Sequence, residues 1–189
     1  IIHLKQHDSN NSKARNLGSV NATYHWLGFP DDDCWYPSNF VEKVLRVINQ
    51  KCDALFINWT DPEHKPEKIR FQFQQGLMNS EEAFTLASCI CLFVNATAFA
   101  KMKGFNEKLG LGETTLIKAG EEQDLTLRLL AAGFSIYKHP GIVVHHAMRE
   151  RAWDNVFKNR IVSQGACDFL FTKRFKSSFT AYWLLLTWS

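Results

Sequence analysis

The chain alternates between segments in which apolar residues recur every three or four positions and short runs that are almost continuously apolar. The helical spacing predicts helices that begin near Ser12, near Pro37 and at Glu121. Gly28 follows the first of these segments and Gly133 ends the last, as is typical of helix ends.

The continuous apolar runs predict buried strands. Residues 1–5 and 53–59 each predict one strand, 83–99 predicts one or two, and 134–146 predicts two short strands around a turn. Residues 60–80 are polar and contain prolines, so they predict a loop. Strands and helices that alternate with short links indicate an α/β layered fold.

The composition is that of a single folded domain. The 189 residues are enough to enclose a core, and 46% hydrophobic with 22% charged residues argues against a disordered chain. The net charge of +3 is too small to indicate nucleic-acid binding, so no nucleic acid is expected as a partner. Residues 149–176 nevertheless hold seven Lys or Arg against three Asp or Glu, among aromatic residues.

The number and spacing of the cysteines indicate the cellular compartment of the protein. There are five of them, and none has the C-x-x-C spacing of a zinc site. Disulfides form in oxidising compartments, so this usage favours reduced, mostly buried thiols in a cytoplasmic protein. The apolar stretch at 182–188 is much shorter than the roughly 20 residues that a membrane-spanning helix needs.

Three adjacent carboxylates in GFPDDDCWYP, residues 28–37, need a compensating charge or full hydration. In extended backbone Asp31 and Asp33 would share one face while Asp32 points the other way. Such a pair suits a hard divalent cation, although a solvated turn is the alternative. The flanking aromatic residues favour a partly buried segment.

A second acidic group, Glu121 and Glu122, begins the last predicted helix. The helix macrodipole favours negative charge there, which is a purely structural explanation. The functional alternative is a general base that faces a cleft. Asp124 and Arg128 are four residues apart and are expected to pair along the helix.

Two adjacent histidines, His145 and His146, end the last predicted strand. An imidazole at a strand end can bind a metal or a phosphate, or it can simply be hydrogen-bonded. These histidines follow the three aspartates and a helix that begins with two glutamates, and this order favours a role as ligands.

Together these residues resemble the family 2 glycosyltransferases of the GT-A fold, most closely the bacterial enzymes that build exopolysaccharide or surface glycans. The resemblance rests on five blocks that occur in the family's order across residues 12–146: SKARNLG, FPDDDCWYP with its DxD motif, KGFNEKLGLG, GEEQDLTLRLLAAGFSIYKHP and VVHH.

The resemblance implies a mixed sheet flanked by helices, with residues 1–148 as a partial GT-A catalytic domain and 149–189 as a basic, aromatic helical extension. Family members carry a further strand-helix-strand unit before the first block, which contributes to nucleotide recognition. The chain is therefore expected to be an N-terminally truncated form of the domain.

The resemblance also assigns roles to individual residues. Glu122 stands where the family usually has the catalytic Asp, so the base is Glu122 or its neighbour Glu121. The other roles are metal ligation by Asp31, Asp33 and His145, donor binding by Lys13, Arg15 and Asp32, and lining of the donor or acceptor cleft by Trp35, Gly120 and Asp124.

The implied activity is an inverting, metal-assisted transfer in polysaccharide synthesis. A sugar moves from a nucleotide-diphosphate sugar to a hydroxyl of a glycan or lipid-linked acceptor, with Mn²⁺ or Mg²⁺ as cofactor. Two alternatives stay open: a non-catalytic sugar-binding module of the same fold, and a metal-dependent phosphoryl or nucleotidyl transferase.

The C-terminal extension raises a separate question of location. Its interleaved cationic and apolar residues suit a helix at a membrane interface, which would place the enzyme at the inner face of the plasma membrane. The alternative is a helix that packs on the core.

Overall fold

The computed structural model describes residues 2–48, 52–63, 65–147 and 155–175. The helices are α1 (Asn11–Val20), α2 (Phe40–Ile48), α3 (Ser80–Leu86), α4 (Ala96–Lys101), α5 (Glu121–Ala131) and α6 (Asn155–Phe175). The strands are β1 (Trp26–Gly28), β2 (Cys34–Trp35), β3 (Ala54–Asp61), β4 (Lys65–Ile69), β5 (Gly76–Leu77), β6 (Leu92–Asn95) and β7 (Ile136–His146).

The strands form one mixed seven-stranded sheet in the order β1-β6-β3-β7-β2, with β4 added to β3 and β5 added to β7. The central pair, β3 and β7, is parallel, and the other pairs are antiparallel. The predicted α/β architecture with a mixed sheet is confirmed.

Strand β3 is the centre of the hydrophobic core. Leu55, Phe56 and Ile57 are fully buried although they point alternately to the two faces of the sheet. Both faces are therefore covered, which explains why this strand is continuously apolar instead of alternating. The helices α2 and α5 add Val44, Leu125 and Leu129 to the same core.

The segment at 83–99 contains one strand, β6, as its apolar run predicts, but the rest of the segment is largely helical. It contains most of α3, a 3-10 turn at Cys89–Cys91, β6 and the start of α4. A capping box explains the first helix, because Asn79 accepts a hydrogen bond from the backbone of Glu82 while the Glu82 side chain accepts one from the backbone of Asn79. Both residues of this box lie outside the apolar run.

Three other predictions differ in detail. Residues 60–80 include β4 and β5 as well as loop, and 134–146 contains one long strand, β7, whose register against β3 shifts in its middle. The first helix is capped by Asn10 and not by Ser12. The described residues at the start of the chain, 2–5, are not in a strand.

Helix α6 packs against the beginning of α5. The Cys167 thiol donates a hydrogen bond to the carbonyl oxygen of Ala119 at 3.1 Å, and Gln164 donates one to the Gln123 side chain at 3.3 Å. Gly120 has a φ of +88°, and a Cβ there would lie 2.4 Å from the Cys167 sulfur. This packing explains the glycine before the acid pair.

Within the described residues, no helix has the length and apolar character that crossing a membrane requires. The apolar stretch at 182–188 lies outside the described residues.

Helix α1 is held in place through its N-terminus. Asn10 is buried; its side chain accepts a hydrogen bond from the backbone N–H of Lys13 at 2.9 Å and donates one to the carbonyl of Glu107 at 3.0 Å. The buried Ser12 hydroxyl donates to the carbonyl of Leu109 at 2.8 Å. These bonds fix α1 to the loop that precedes α5.

Asn10→Ala should lower the free energy of unfolding by about 2 kcal/mol, because it removes a helix cap and leaves buried backbone groups unpaired. The matched control is Asn21→Ala at the exposed end of the same helix, where a change within about 0.5 kcal/mol is expected. Urea denaturation measures both values. Equal values for the two variants would contradict this account of how α1 is held.

Candidate functional site

The three aspartates lie in a turn that joins β1 to β2, and not in extended backbone. The backbone N–H of Cys34 donates to the carbonyl of Asp31 at 3.2 Å and closes the turn. The carboxylates therefore face different partners. Asp31 accepts a hydrogen bond from Arg15 at 3.3 Å, and Asp33 lies 3.2 Å from the Nε2 atom of His146. Asp32 is exposed at the turn.

The pairing of β2 with β7 decides which histidine approaches the turn. Cys34 lies opposite His146, and Trp35 lies opposite His145. Residues directly opposite in an antiparallel pair share a face, and consecutive residues face opposite ways. The register therefore places His146 on the same face as Cys34, while His145 faces the other side. Asp33, in the turn before β2, reaches His146 through the 3.2 Å contact and not through the register.

His145, the histidine that the resemblance assigned to the metal, has other neighbours in this structure. Its Nδ1 atom is hydrogen-bonded to the hydroxyl of Thr60 at 3.1 Å, and its ring packs on Trp35 with centroids 5.7 Å apart. The structure thus brings Asp33 together with His146 and does not bring it together with His145.

Asp33, Cys34 and His146 form a group with the donor set of a metal site. One ligand atom from each lies within 4.8 Å of the other two, and all three residues are half-buried. In the described part of the chain, no other three His, Cys, Asp or Glu side chains come as close. The Nδ1 atom of His146 is buried without a hydrogen-bond partner, so the ring has an unsatisfied nitrogen. These residues fit a divalent cation.

Arg15, on α1, links the aspartate turn to the acid pair of α5. Its side chain is only 14% exposed, and it donates to Asp31 at 3.3 Å and to Glu121 at 3.2 Å. Its guanidinium also lies over the ring of Phe105, 5.7 Å from the centroid. Two acidic segments that are ninety residues apart in the chain are thereby held around one cation.

Glu121 is the buried member of the acid pair. Gly110, with a φ of +92°, allows the loop backbone to approach so closely that a Cβ there would lie 2.7 Å from the Glu121 carboxyl carbon. Burial, followed by repulsion from Glu122, raises the pKa of Glu121 to about 7 even though Arg15 opposes the shift. Glu121 is therefore protonated in mildly acidic solution.

Glu122 is the more accessible acid. It is half-buried, and its charge acts on the buried thiol of Cys89 at the start of the 3-10 turn. Burial and then the charge of Glu122 raise the pKa of Cys89 well above its ordinary value, so the thiol stays protonated. Glu122 thus has a neutral neighbour in Cys89, whereas Glu121 is paired with Arg15.

Three other predicted site residues make contacts outside this cluster. Lys13 pairs with Asp8 at 2.7 Å and lines a separate groove of about 340 Å³. Asp124 is buried, pairs with Arg128 at 2.7 Å and Arg174 at 3.2 Å, and lines a cavity of about 230 Å³. Gly120 is covered by α6.

Four residues of the site were not assigned a role from the sequence. The sequence predicts that Cys34 and Cys89 are ordinary thiols, and the resemblance gives the metal role to His145 and not to His146. Gly110 was one of several glycines in a loop. The position of Cys34 directly after the three aspartates could have indicated its place in the site. The places of Cys89, His146 and Gly110 depend on strand register or on contacts between distant segments.

The family can now be established. The profile described as Glycosyl transferase family 2 matches residues 1–108 of the chain. The chain belongs to this family. The matched segment includes Arg15 and the aspartate turn, while the acid pair and both histidines lie beyond it. No curated protein matches the chain.

Solved structures support the fold. The chain is similar to S. aureus TarS 1–349 in complex with UDP-GlcNAc, with a TM-score of 0.61 and 14% identity over 89% of this chain and 49% of that one. TarS 1–349 alone matches with a TM-score of 0.57 and 13% identity, over 86% of this chain and 45% of that one. Its complex with UDP matches with a TM-score of 0.56 and 11% identity, over 90% of this chain and 53% of that one.

These likenesses confirm the GT-A-like fold that the sequence motifs implied. The family to which the chain belongs, the glycosyltransferases, is a family of enzymes. The chain spans about half the length of the TarS 1–349 structures that it matches.

Glu121→Gln should change how stability depends on pH. Between pH 4.5 and about 7 the folded state retains a Glu121 proton that the unfolded chain has released, so the free energy of unfolding falls as pH rises through this window. The loss amounts to about 3 kcal/mol at most. An amide side chain cannot titrate, so the variant should lack this component.

The measurement is urea denaturation at intervals between pH 4.5 and 8. Glu113→Gln, at an exposed loop position, is the matched control and should keep the wild-type slope. A Glu121→Gln variant with an unchanged slope would show that Glu121 does not hold the proton.

Proposed function

We propose that this chain carries the acceptor-activating and metal-holding part of an inverting glycosyltransferase. It transfers a sugar from a nucleotide-diphosphate sugar to a hydroxyl of a glycan or lipid-linked acceptor in the synthesis of cell-surface polysaccharide. Residues 1–148 supply the catalytic part, and residues 149–189 form an extension of it.

The observation that carries the proposal is the position of Arg15 between Asp31 and Glu121, at 3.3 and 3.2 Å. A transferase needs a site for the leaving diphosphate and a base for the acceptor within one substrate's reach. The aspartate turn and the acid pair are the candidates for these two sites, and a single guanidinium spans the distance between them.

On the donor side, Asp33 and His146 are the residues that would hold a divalent cation, with Cys34 beside them. When bound, such a cation neutralises charge on the departing nucleotide diphosphate. Arg15 adds a fixed positive charge behind the turn, and the exposed Asp32 is left at its surface. Trp35, half-buried next to the turn, lines the donor cleft.

On the acceptor side, Glu122 is the base. It accepts the proton of the acceptor hydroxyl as the oxygen bonds to the anomeric carbon, while the bond from that carbon to the diphosphate breaks. Because attack and departure occur on opposite faces, the configuration inverts. Glu121 is less suited to this step, since it is buried and paired with Arg15.

The donor class is supported by the TarS structures, one of which is a complex with UDP-GlcNAc and another a complex with UDP. A nucleotide-diphosphate sugar is therefore the donor we propose for this chain. Mn²⁺ and Mg²⁺ are the cations that the family resemblance implies for this chemistry.

Glu122→Gln should lower kcat of the intact protein by about 100-fold or more, because it removes the base, with little change in affinity for the nucleotide. Glu122→Asp keeps a carboxylate and is the matched control, with kcat within about tenfold of the wild type. The assay follows nucleotide release and identifies the glycoside product by mass spectrometry.

Two results would contradict the proposal. Full activity in Glu122→Gln would remove Glu122 from the mechanism. Products that contain transferred phosphate or nucleotide would favour a phosphoryl or nucleotidyl transferase, and sugar binding without any product would favour a binding module.

We further propose that the enzyme works at the cytoplasmic face of the plasma membrane through α6. Helix α6 exposes an apolar stripe that consists of Ile161, Val162, Phe169 and Leu170, from 44% to 69% exposed, and the exposed Lys173 follows it. Apolar side chains beside cationic ones suit the interface of an anionic membrane, and a lipid-linked acceptor lies at such an interface.

Phe169→Ser should reduce cosedimentation with vesicles of phosphatidylglycerol and phosphatidylcholine several-fold, because it removes a large apolar side chain from the stripe. Leu116→Ser is the matched control, since Leu116 is 95% exposed, lies in the loop before α5 and is outside the apolar stripe, so this variant should bind as the wild type does. Equal binding by the two variants would remove α6 as the contact.

A further inference from the structure

We propose that Cys34 is a metal ligand and that Asp33, Cys34 and His146 together bind a thiophilic divalent cation of the Zn²⁺ and Co²⁺ class. This inference deepens the proposed function, because it names the kind of cation that the donor side would take. The three residues and their geometry carry it independently of any turnover.

The spacing of the ligand atoms suits one ion. An imidazole nitrogen and a carboxylate oxygen bind zinc at about 2.0–2.2 Å and a thiolate binds it at about 2.3 Å, so ligand atoms on one ion lie within about 4.5 Å of each other. The ligand atoms of Asp33, Cys34 and His146 all lie within 4.8 Å of one another.

The backbone holds two of these ligands together before any cation arrives. Cys34 and His146 are directly opposite each other on β2 and β7, so their side chains share a face of the sheet. The ring of His146 is held edge-on against Trp59, with centroids 5.0 Å apart and an interplanar angle of 74°. A ligand pair that is positioned in advance loses little conformational entropy on binding.

One of the two nitrogens of His146 faces the proposed site. Its Nδ1 atom is buried and has no hydrogen-bond partner, although its Nε2 atom lies 3.2 Å from Asp33. A buried polar atom without a partner costs free energy. Because Nε2 is the nitrogen beside Asp33, it is the ligand expected for the cation, and the unpartnered Nδ1 atom does not by itself point to a metal.

The thiol determines which cation is favoured. Mg²⁺ takes oxygen ligands in octahedral geometry, whereas a set of one sulfur, one nitrogen and one oxygen suits Zn²⁺ and Co²⁺. Asp31 is paired with Arg15 and lies outside this group, so the set does not have the two aspartates of an oxygen-only site. Three protein ligands leave a fourth position for a diphosphate oxygen.

Binding exchanges a proton for the cation. The S–H bond of Cys34 breaks, the proton passes to solvent, and the sulfur forms a bond to the metal. No oxidant or reductant takes part. The same bond gives a spectroscopic signature, because a thiolate bound to Co²⁺ has a charge-transfer absorption in the near ultraviolet that oxygen and nitrogen ligands do not produce.

The test is titration of the intact, metal-free protein with Co²⁺, followed by absorption. The wild type should develop the thiolate band, and Cys34→Ser should lose the band and bind Co²⁺ at least tenfold more weakly. Cys52→Ser is the matched control; Cys52 is half-buried before β3, and this variant should keep the band. His146→Ala should weaken Co²⁺ binding, and circular dichroism checks that every variant is folded.

Three results would overturn the inference: no Co²⁺ binding, binding without a thiolate band, or a band that persists in Cys34→Ser. The glycosyl transfer assay reports separately on the proposed function. A thiolate band in a protein without transferase activity would keep the metal site and reject the enzyme. Transfer that needs only Mg²⁺, in a protein without the band, would keep the enzyme and reject the thiol ligand.

Discussion

The pairing of the largely enclosed Arg15 guanidinium with two carboxylates is the interaction on which the arrangement of the site depends. A charge that is removed from water is costly unless anions neutralise it, and here Asp31 and Glu121 come from two separate segments to do so. Arg15 stands on α1, whose start is fixed by the Asn10 cap. One ion-pair network therefore sets the aspartate turn and the beginning of α5 relative to each other.

The second constraint is the register between β2 and β7. Side chains alternate along a strand, so a slip of one residue would exchange the faces of His145 and His146. The observed register puts His146 beside Asp33 and leaves His145 against Thr60. The chemistry available to the turn thus depends on a two-residue strand as much as on the aspartates themselves.

The sequence predicts the elements whose signals are local and leaves out those that depend on contacts. The α5 helix and the β3 strand follow from periodicity and from a continuous apolar run. The run at 83–99 predicts the strand β6 but not the helical segments around it, because short apolar stretches fit a helix as well as a strand and the capping residues of α3 lie outside the run. The motifs located both acidic groups, but neither the role of Arg15 as a bridge nor the histidine that faces Asp33 is encoded in spacing.

The two acids of α5 illustrate how burial separates neighbouring side chains of the same chemistry. Successive residues on a helix point about 100° apart, so Glu121 is directed into the core and Glu122 toward the half-exposed side. The family usually has Asp at the second position, and Glu122 adds a methylene and one more rotatable bond that must be ordered before it can act. The buried Cys89 thiol beside this carboxylate stays protonated and adds no charge to it.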